Sequence, residues 1–312
     1  MTSPDSGRAD VTADEFDRLF ATLRTWGRWG DSDQLGALNL LTPERVAAAA
    51  GLVLDGATIT MSWPMQREAT ANTPEPAEHR MTSEPNQDST GMVVAKDYIG
   101  IHYHGDTHTH LDALCHIGYE GLLYNGVSTD VITADGASLD SVELVKDGLV
   151  GRGVLLDIPG VRDVPWLEPG DSIVRDDLEA AEEKQGVAVR EGDILLVRTG
   201  HARRLDELGP WDTPHHKAGL DPRAMTFLAE RDVSVLGSDG NSDTAPSQTE
   251  GVEFPIHVLA LNAMGVWLLD YLRFEEVLAA CRRAGRWEFL FVAAPLRIAG
   301  GTGSPINPLA IL

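Results

Sequence analysis

Beyond residue 150 short apolar runs recur between longer mixed stretches, an alternation that few folds satisfy. The runs are Val154-Leu155-Leu156-Asp157-Ile158, Asp193-Ile194-Leu195-Leu196-Val197-Arg198, Val233-Ser234-Val235-Leu236, Gly265-Val266-Trp267-Leu268-Leu269-Asp270 and residues 287–292. Each reads as a strand, being apolar throughout and too short for a helix. Residues 177–185, 221–231 (with Pro222 near the start) and 274–284 read as the helices between them. Strands that alternate with helices indicate an α/β protein. Neither an internal repeat nor a shift in composition marks a boundary. The simplest organisation is one domain over residues 26–312, preceded by a tail and helix extension over residues 1–25.

In that extension the first dozen residues read as a disordered tail. A helical pattern follows over residues 13–25, with Phe16, Leu19, Phe20 and Leu23 at spacings of three and four. Thr42-Pro43-Glu44 starts a second helix, because Thr caps an amino end and Pro suits the first helical position. That helix stops near Gly51 or Gly56. Residues 65–88 are poor in large apolar side chains and rich in Pro, Thr, Glu and Asn, which reads as either a functional lid or a plain surface loop.

The chain of 312 residues carries 48 Asp and Glu against 25 Lys and Arg, a formal charge of -23. Such a balance repels phosphate backbones and anionic lipid, so neither nucleic acid nor a membrane surface is expected as partner. The two cysteines, Cys115 and Cys281, cannot build a disulfide framework. The acidic amino terminus lacks a signal-peptide pattern, and no apolar run reaches the roughly 18 residues of a membrane span. A soluble, cytoplasmic protein acting on a small molecule is the expectation.

Five of the ten histidines fall within His102-Tyr103-His104-Gly105-Asp106-Thr107-His108-Thr109-His110-Leu111-Asp112-Ala113-Leu114-Cys115-His116. If the first part is extended, His102, His104, Asp106, His108, His110 and Asp112 share one face. So many imidazoles and carboxylates together are costly unless something satisfies them, and a divalent cation does so with these donor types.

Two family resemblances follow from the spacing. Asp106-x-His108-x-His110-x-Asp112 resembles the DxHxHxD start of the barrel amidohydrolases, with His201, His215, His216 and Asp239 as candidates for the later ligands. The second resemblance covers more of the chain. Thr109-His110-x-Asp112 with His116 resembles the HxGTHxDxPxH signature of the metal-dependent cyclase/kynurenine formamidase-like family, which includes arylformamidases and isatin hydrolases. Asp106 stands at the family's first metal histidine, His108 at its Gly and Leu114 at its Pro. A shifted register would use His104, His108 and His110 instead, so the first ligand is open between Asp106, His104 and His108. Further landmarks in order are Trp29-Gly30, the stretch 36–44, Leu123-Tyr124-Asn125-Gly126, Arg198-Thr199-Gly200 and Gly301-Thr302-Gly303-Ser304-Pro305-Ile306-Asn307-Pro308.

This second resemblance implies a swivelling β/β/α domain, assembled as a homodimer or homotetramer. It implies a hydrolase of carbon–nitrogen amide bonds, formamides or lactams, that uses a divalent metal, zinc or manganese. It assigns Asp106, His110, Asp112, His257 and Asp270 as metal ligands and His116 as the general acid or base. For His257 the alternative is a capping or core imidazole, and for Asp270 a cap on the following helix. A metal-free cyclase, dehydratase or binding protein on the same fold stays open. Ser238-Asp239-Gly240-Asn241-Ser242-Asp243 follows a strand and either shapes the pocket or simply turns. Trp26, Trp29 and Trp63 could wall a planar substrate. Gly300-Gly301-Thr302-Gly303 lacks the strand-to-helix context of a phosphate loop, and Cys115 diverges from its neighbour His116, which argues against a nucleophilic pair.

Overall fold

The apolar runs form the middle of a nine-stranded sheet. The computed structural model describes residues 10–83 and 92–312. In chain order the strands used below are β1 (Thr58–Thr60), β2 (Glu78–Met81), β3 (Asp97–Gly100), β4 (His110–Asp112), β5 (Leu149–Asp157) and β6 (Ile194–Arg198). Then follow β7 (Val235–Ser238), β8 (Trp267–Asp270), β9 (Glu288–Ala293), β10 (Gly303–Pro305) and β11 (Leu309–Ile311). The helices used below are α1 (Ala13–Leu23), α2 (Pro43–Ala50), α3 (Arg175–Gln185), α4 (His201–Leu208), α5 (Met225–Glu230) and α6 (Glu275–Ala284).

The sheet runs β1-β11-β9-β5-β6-β7-β8-β4-β10. Its centre, β5 to β8, is parallel, and the strands beyond on either side are antiparallel. Parallel neighbours need long crossovers, which explains the helices: α3 lies between β5 and β6, and α4 and α5 between β6 and β7. A helical segment that begins at Pro255–His257 and continues as a π-helix over Val258–Met264 joins β7 to β8. The central strands are buried on every residue from Val154 to Asp157 and throughout β6, β7 and β8, as parallel sheets covered on both faces require. The expected mixed α/β class is what forms.

Several expected boundaries shift for identifiable reasons. The strand expected at residues 154–158 begins five residues earlier, at Leu149. Gly151 and Gly153 break its apolar pattern, yet they stand opposite Phe291 and Phe289 of β9, and a Cβ on Gly153 would meet the Phe289 ring at 2.7 Å. The helix expected over 221–231 opens as a tight turn, Pro222–Ala224, whose first N–H groups are capped by Asp221, before α5 begins. Thr42 caps α2 through the Arg45 N–H at 3.4 Å, and Thr12 caps α1 through that of Glu15 at 3.3 Å.

The expected disordered tail lies outside the described residues up to position 9. Its end is not free: Val11 is buried and donates its N–H to the Gln248 carbonyl at 2.9 Å. The stretch 65–88, described as far as residue 83, is not structureless either, because β2 pairs antiparallel with β3 as a separate ribbon. No described helix is long and apolar enough to cross a membrane.

Candidate metal centre

Extended backbone covers only His110–Asp112, so the single polar face expected from His102 onward does not form. Within β4, His110 and Asp112 do share a face, as residues two apart must. The antiparallel register then sets Asp270 of β8 opposite His110 and Leu268 opposite Asp112. Directly paired residues project to the same side of a sheet, so strand pairing alone delivers two carboxylates and an imidazole to one place.

Asp112 is the centre of the cluster. It is fully buried, and no backbone N–H or hydroxyl satisfies its carboxylate oxygens. Four imidazole nitrogens nevertheless crowd it. His104 Nδ1 stands 2.8 Å from Oδ1, His110 Nε2 3.5 Å and His116 Nε2 3.9 Å, while His257 Nε2 stands 3.5 Å from Oδ2. His257 Nε2 is also 3.4 Å from Asp270 Oδ2, and Asp270 Oδ1 is buried without a partner.

Three of these histidines are anchored through their other nitrogen. His110 Nδ1 donates to the His108 carbonyl at 2.7 Å. His257 Nδ1 meets Asp243 Oδ2 at 2.6 Å, and Asp243 Oδ1 accepts the Ile256 N–H at 2.7 Å. His104 Nε2 bonds to Thr302 Oγ1 at 2.9 Å. Gly303 leaves room for that ring, because a Cβ there would sit 2.7 Å from His104 Cε1. Anchoring one ring nitrogen and aiming the other inward is how proteins orient imidazole ligands.

The residues fit a divalent ion. Donors sharing a zinc-sized ion at about 2.0–2.2 Å stand about 3.3–3.5 Å apart in tetrahedral geometry, and the spacings of 3.4 and 3.5 Å match that edge. Two trios bring one donor atom each within 4.8 Å of one another: His104, His110, Asp112, and Asp112, His116, His257.

Protonation follows from burial against charge. Burial alone would raise the Asp112 carboxyl, but the imidazoles of His116, His110, His104 and His257 hold it well below the usual range. Burial would lower His257, yet Asp112, Asp243 and Asp270 hold it well above its ordinary value. Burial raises Asp270. It pushes His116 down to about 4, against the opposing pull of Asp112.

A cavity of about 270 Å³ opens onto the cluster, lined by His104, Asp106, His110, His116, Phe254 and Asp270 among others. A larger hollow of about 530 Å³, beside Pro159 and Trp287, lies away from these groups. None of Trp26, Trp29 and Trp63 lines the metal cavity. Trp63 lies under the Arg273 guanidinium and Trp26 donates to the Asn262 carbonyl. Phe254 is the aromatic side.

Asp106, expected as a ligand, stays outside both trios. It lines the cavity, where its Oδ1 takes the Lys217 ammonium and the Tyr271 hydroxyl, while His104 Nδ1 is the imidazole nitrogen nearest Asp112. His108 is buried outside both trios, its ring bonded to the Glu75 backbone, and its carbonyl meets His110 Nδ1. The segment 238–243 does more than turn. Asn241 lines the cavity, Asp243 holds His257, and Asp239 accepts the N–H groups of Thr199, Gly200 and His201 at the start of α4. Neither Lys217 nor the role of Asp243 carries a local signal in the sequence. His201, His215 and His216 stay outside both trios.

A buried His/Asp cluster near one end of a mixed sheet, open to a cavity of about 270 Å³, has the donor set to hold a metal ion. The Cyclase family model ("Putative cyclase") matches residues 53–243, more than half of the chain, and the chain belongs to that family. The isatin hydrolase of Roseibium aggregatum is 28% identical over 148 residues, 46% of this chain and 53% of that one. The chain thus spans about half the length of this curated relative. A crystal structure of a novel cyclase matches with a TM-score of 0.85 at 32% identity, covering 94% of this chain and 99% of the other. Isatin hydrolase A from Labrenzia aggregata, bound to benzyl benzoate, shares the fold at TM-score 0.58 and 22% identity, over 84% and 94% of the two chains. A "predicted metal-dependent hydrolase" from Bacillus stearothermophilus does so at 0.53 and 20%, over 82% and 98%. The nine-stranded sheet, antiparallel on both flanks, is not the eight-unit barrel of the first resemblance.

Proposed function

We propose that this cyclase-family protein is a metal-dependent hydrolase of a carbon–nitrogen amide bond, in a formamide or lactam. The observation that carries the reading is Asp112, a fully buried carboxylate ringed by four imidazole nitrogens. Left like that, it would cost several kcal/mol. His104, His110 and Asp112 would hold the ion on one side, and His257 and Asp270 on the other. A divalent ion there, zinc or manganese, supplies a Lewis acid that acidifies water and polarises a carbonyl.

The chain's own residues account for the rest. His116 is the most solvent-accessible imidazole of the cluster after His104, lines the cavity, and stacks on the His104 ring with centroids 3.9 Å apart. Pushed down to about 4, it is neutral at pH 7 and free to accept a proton at Nε2. It then returns that proton to the departing amine nitrogen. Phe254 and Ile117 give the cavity apolar walls, and about 270 Å³ suits a substrate of roughly one ring system.

The reading includes a homodimer or homotetramer. Exposed Met81, Tyr98 and Ile99 on the β2–β3 ribbon support it, because a two-stranded ribbon is marginal in water unless something covers it. Sedimentation velocity checks this point.

The test is metal content by mass spectrometry on protein purified without chelator, followed by a panel of formamides and lactams. His116→Ala should keep the metal and lose turnover by about 10²-fold or more. Loss of the metal in that variant would make His116 a ligand instead. No metal after soaking in zinc and manganese would favour a metal-free cyclase or binding protein.

A further inference from the structure

Asp106 departs from the metal set, and the structure assigns it other work. Its Oδ1 receives both the Lys217 ammonium and the Tyr271 hydroxyl. Lys217 is buried, with 3% of its surface exposed, and a buried ammonium persists only where a carboxylate pairs with it. Tyr271 is buried too, and its backbone sits at φ +52°, a left-handed conformation costly for an aromatic residue. From that position, directly after Asp270 in sequence, the phenol reaches Asp106. Two donors on one oxygen leave the carboxylate fixed, and its side chain remains 20% exposed at the wall of the metal cavity.

What the cavity offers a ligand there is acceptor capacity. A carboxylate in an ion pair only accepts hydrogen bonds. Asn241 lines the same cavity, and its Oδ1 is buried without a partner. The Asp106 carboxylate and the unpartnered Asn241 Oδ1 both accept, which complements a ligand that brings N–H groups. They disfavour one that brings a carboxylate or phosphate to that wall.

We propose that Asp106, clamped by Lys217 and Tyr271, is the substrate-recognition carboxylate: it accepts the N–H beside the scissile carbonyl and selects amides and lactams that carry one over their N-alkylated counterparts. The inference rests on the amide-hydrolase reading for the kind of substrate, but its test is separate. An N-methyl group removes the donor and adds bulk at the same point, so the comparison between variants, not the wild-type preference alone, decides.

The probes are the lactam oxindole and N-methyloxindole, titrated calorimetrically into the metal-loaded full chain. The wild type should bind oxindole at least about tenfold more tightly, the weight of one hydrogen bond to a charged acceptor. Asp106→Asn should shrink the preference severalfold. Because that variant strands the Lys217 charge, the double variant Asp106→Leu with Lys217→Met replaces the ion pair by apolar side chains, an exchange that buried pairs often tolerate. It should abolish the preference by weakening oxindole and leaving N-methyloxindole unchanged. Both variants should keep the wild-type metal content. Equal affinity of the wild type for both lactams, binding of neither, an unchanged preference in both variants, or lost metal in Asp106→Asn would each overturn the inference. A preference that vanishes in the variants upholds it even if no amide is turned over, and in that case only the hydrolase reading falls.

Discussion

Asp140 offers a sharp test of the electrostatics away from the metal centre. Its carboxyl is fully buried, and neither oxygen takes a hydrogen bond. The backbone holds it in place, with its N–H donated to Gln34 Oε1 at 3.0 Å and its carbonyl accepting the Cys115 N–H at 3.1 Å. Burial, with the charge of Asp33 added, raises the carboxyl from 3.8 to about 7. In the unfolded chain the group ionises near pH 4, whereas in the folded protein it keeps its proton to about pH 7. The unfolded state therefore binds fewer protons across that window, and stability falls as pH rises through it. Three units at 1.36 kcal/mol each set a ceiling of about 4 kcal/mol, and relaxation around the buried charge brings the expected loss to about 2–4 kcal/mol. Asp140→Asn removes the charge and keeps the shape. Urea unfolding in chelator, which removes metal linkage, should give nearly equal stabilities at pH 4 and a variant more stable by about 2–4 kcal/mol at pH 8. A difference independent of pH, or a variant less stable at pH 8, would refute the reasoning and point to a ligand for the Asp140 carboxylate.

Other outcomes are equally specific. Zinc or manganese at a hundredfold excess over Kd should stabilise the wild type by about 2.7 kcal/mol, a rise of several degrees in Tm, and Asp112→Asn should show no such rise by calorimetry. Burial, with the Lys217 charge, pushes His201 down to about 4. The folded protein therefore loses up to about 3 kcal/mol as pH falls from 6.5 to 4, and His201→Gln should flatten that slope in urea titrations. Gly36 sits at φ +58° against Gly265, and a Cβ on it would lie 2.3 Å from the Gly265 carbonyl oxygen. Gly36→Ala should cost about 3 kcal/mol or more in urea unfolding, while a wild-type midpoint would refute that close approach.

Much of the site was legible in the chain because its signals are local. Two-residue periodicity puts His110 and Asp112 on one face wherever β4 forms, and four residues separate Asp112 from His116. The caps at Thr12 and Thr42 act within one turn, so α1 and α2 start where the residue types say. His257 and Asp270 were reached through family landmarks, not through spacing. The ribbon β2–β3 escaped notice because its strands bury no continuous face: Glu78, Arg80, Met81 and Tyr98 are all exposed, so no alternation marks them.

The choice between His104 and Asp106 lies in neither kind of signal. It depends on Thr302 and Gly303, nearly two hundred residues away, which hold and admit the His104 ring, and on Lys217 and Tyr271, which draw Asp106 aside. By itself, then, the amino-acid sequence determined the central strands and the helices between them, the α/β class and the donor types offered to a metal, since covalent geometry and burial act between near neighbours. Only the tertiary structure decided which donors converge on Asp112 and which carboxylate pairs with Lys217 and Tyr271 instead. Those assignments follow from the order and register of strands that meet when the sheet assembles, and no local periodicity encodes contacts between side chains so far apart along the chain.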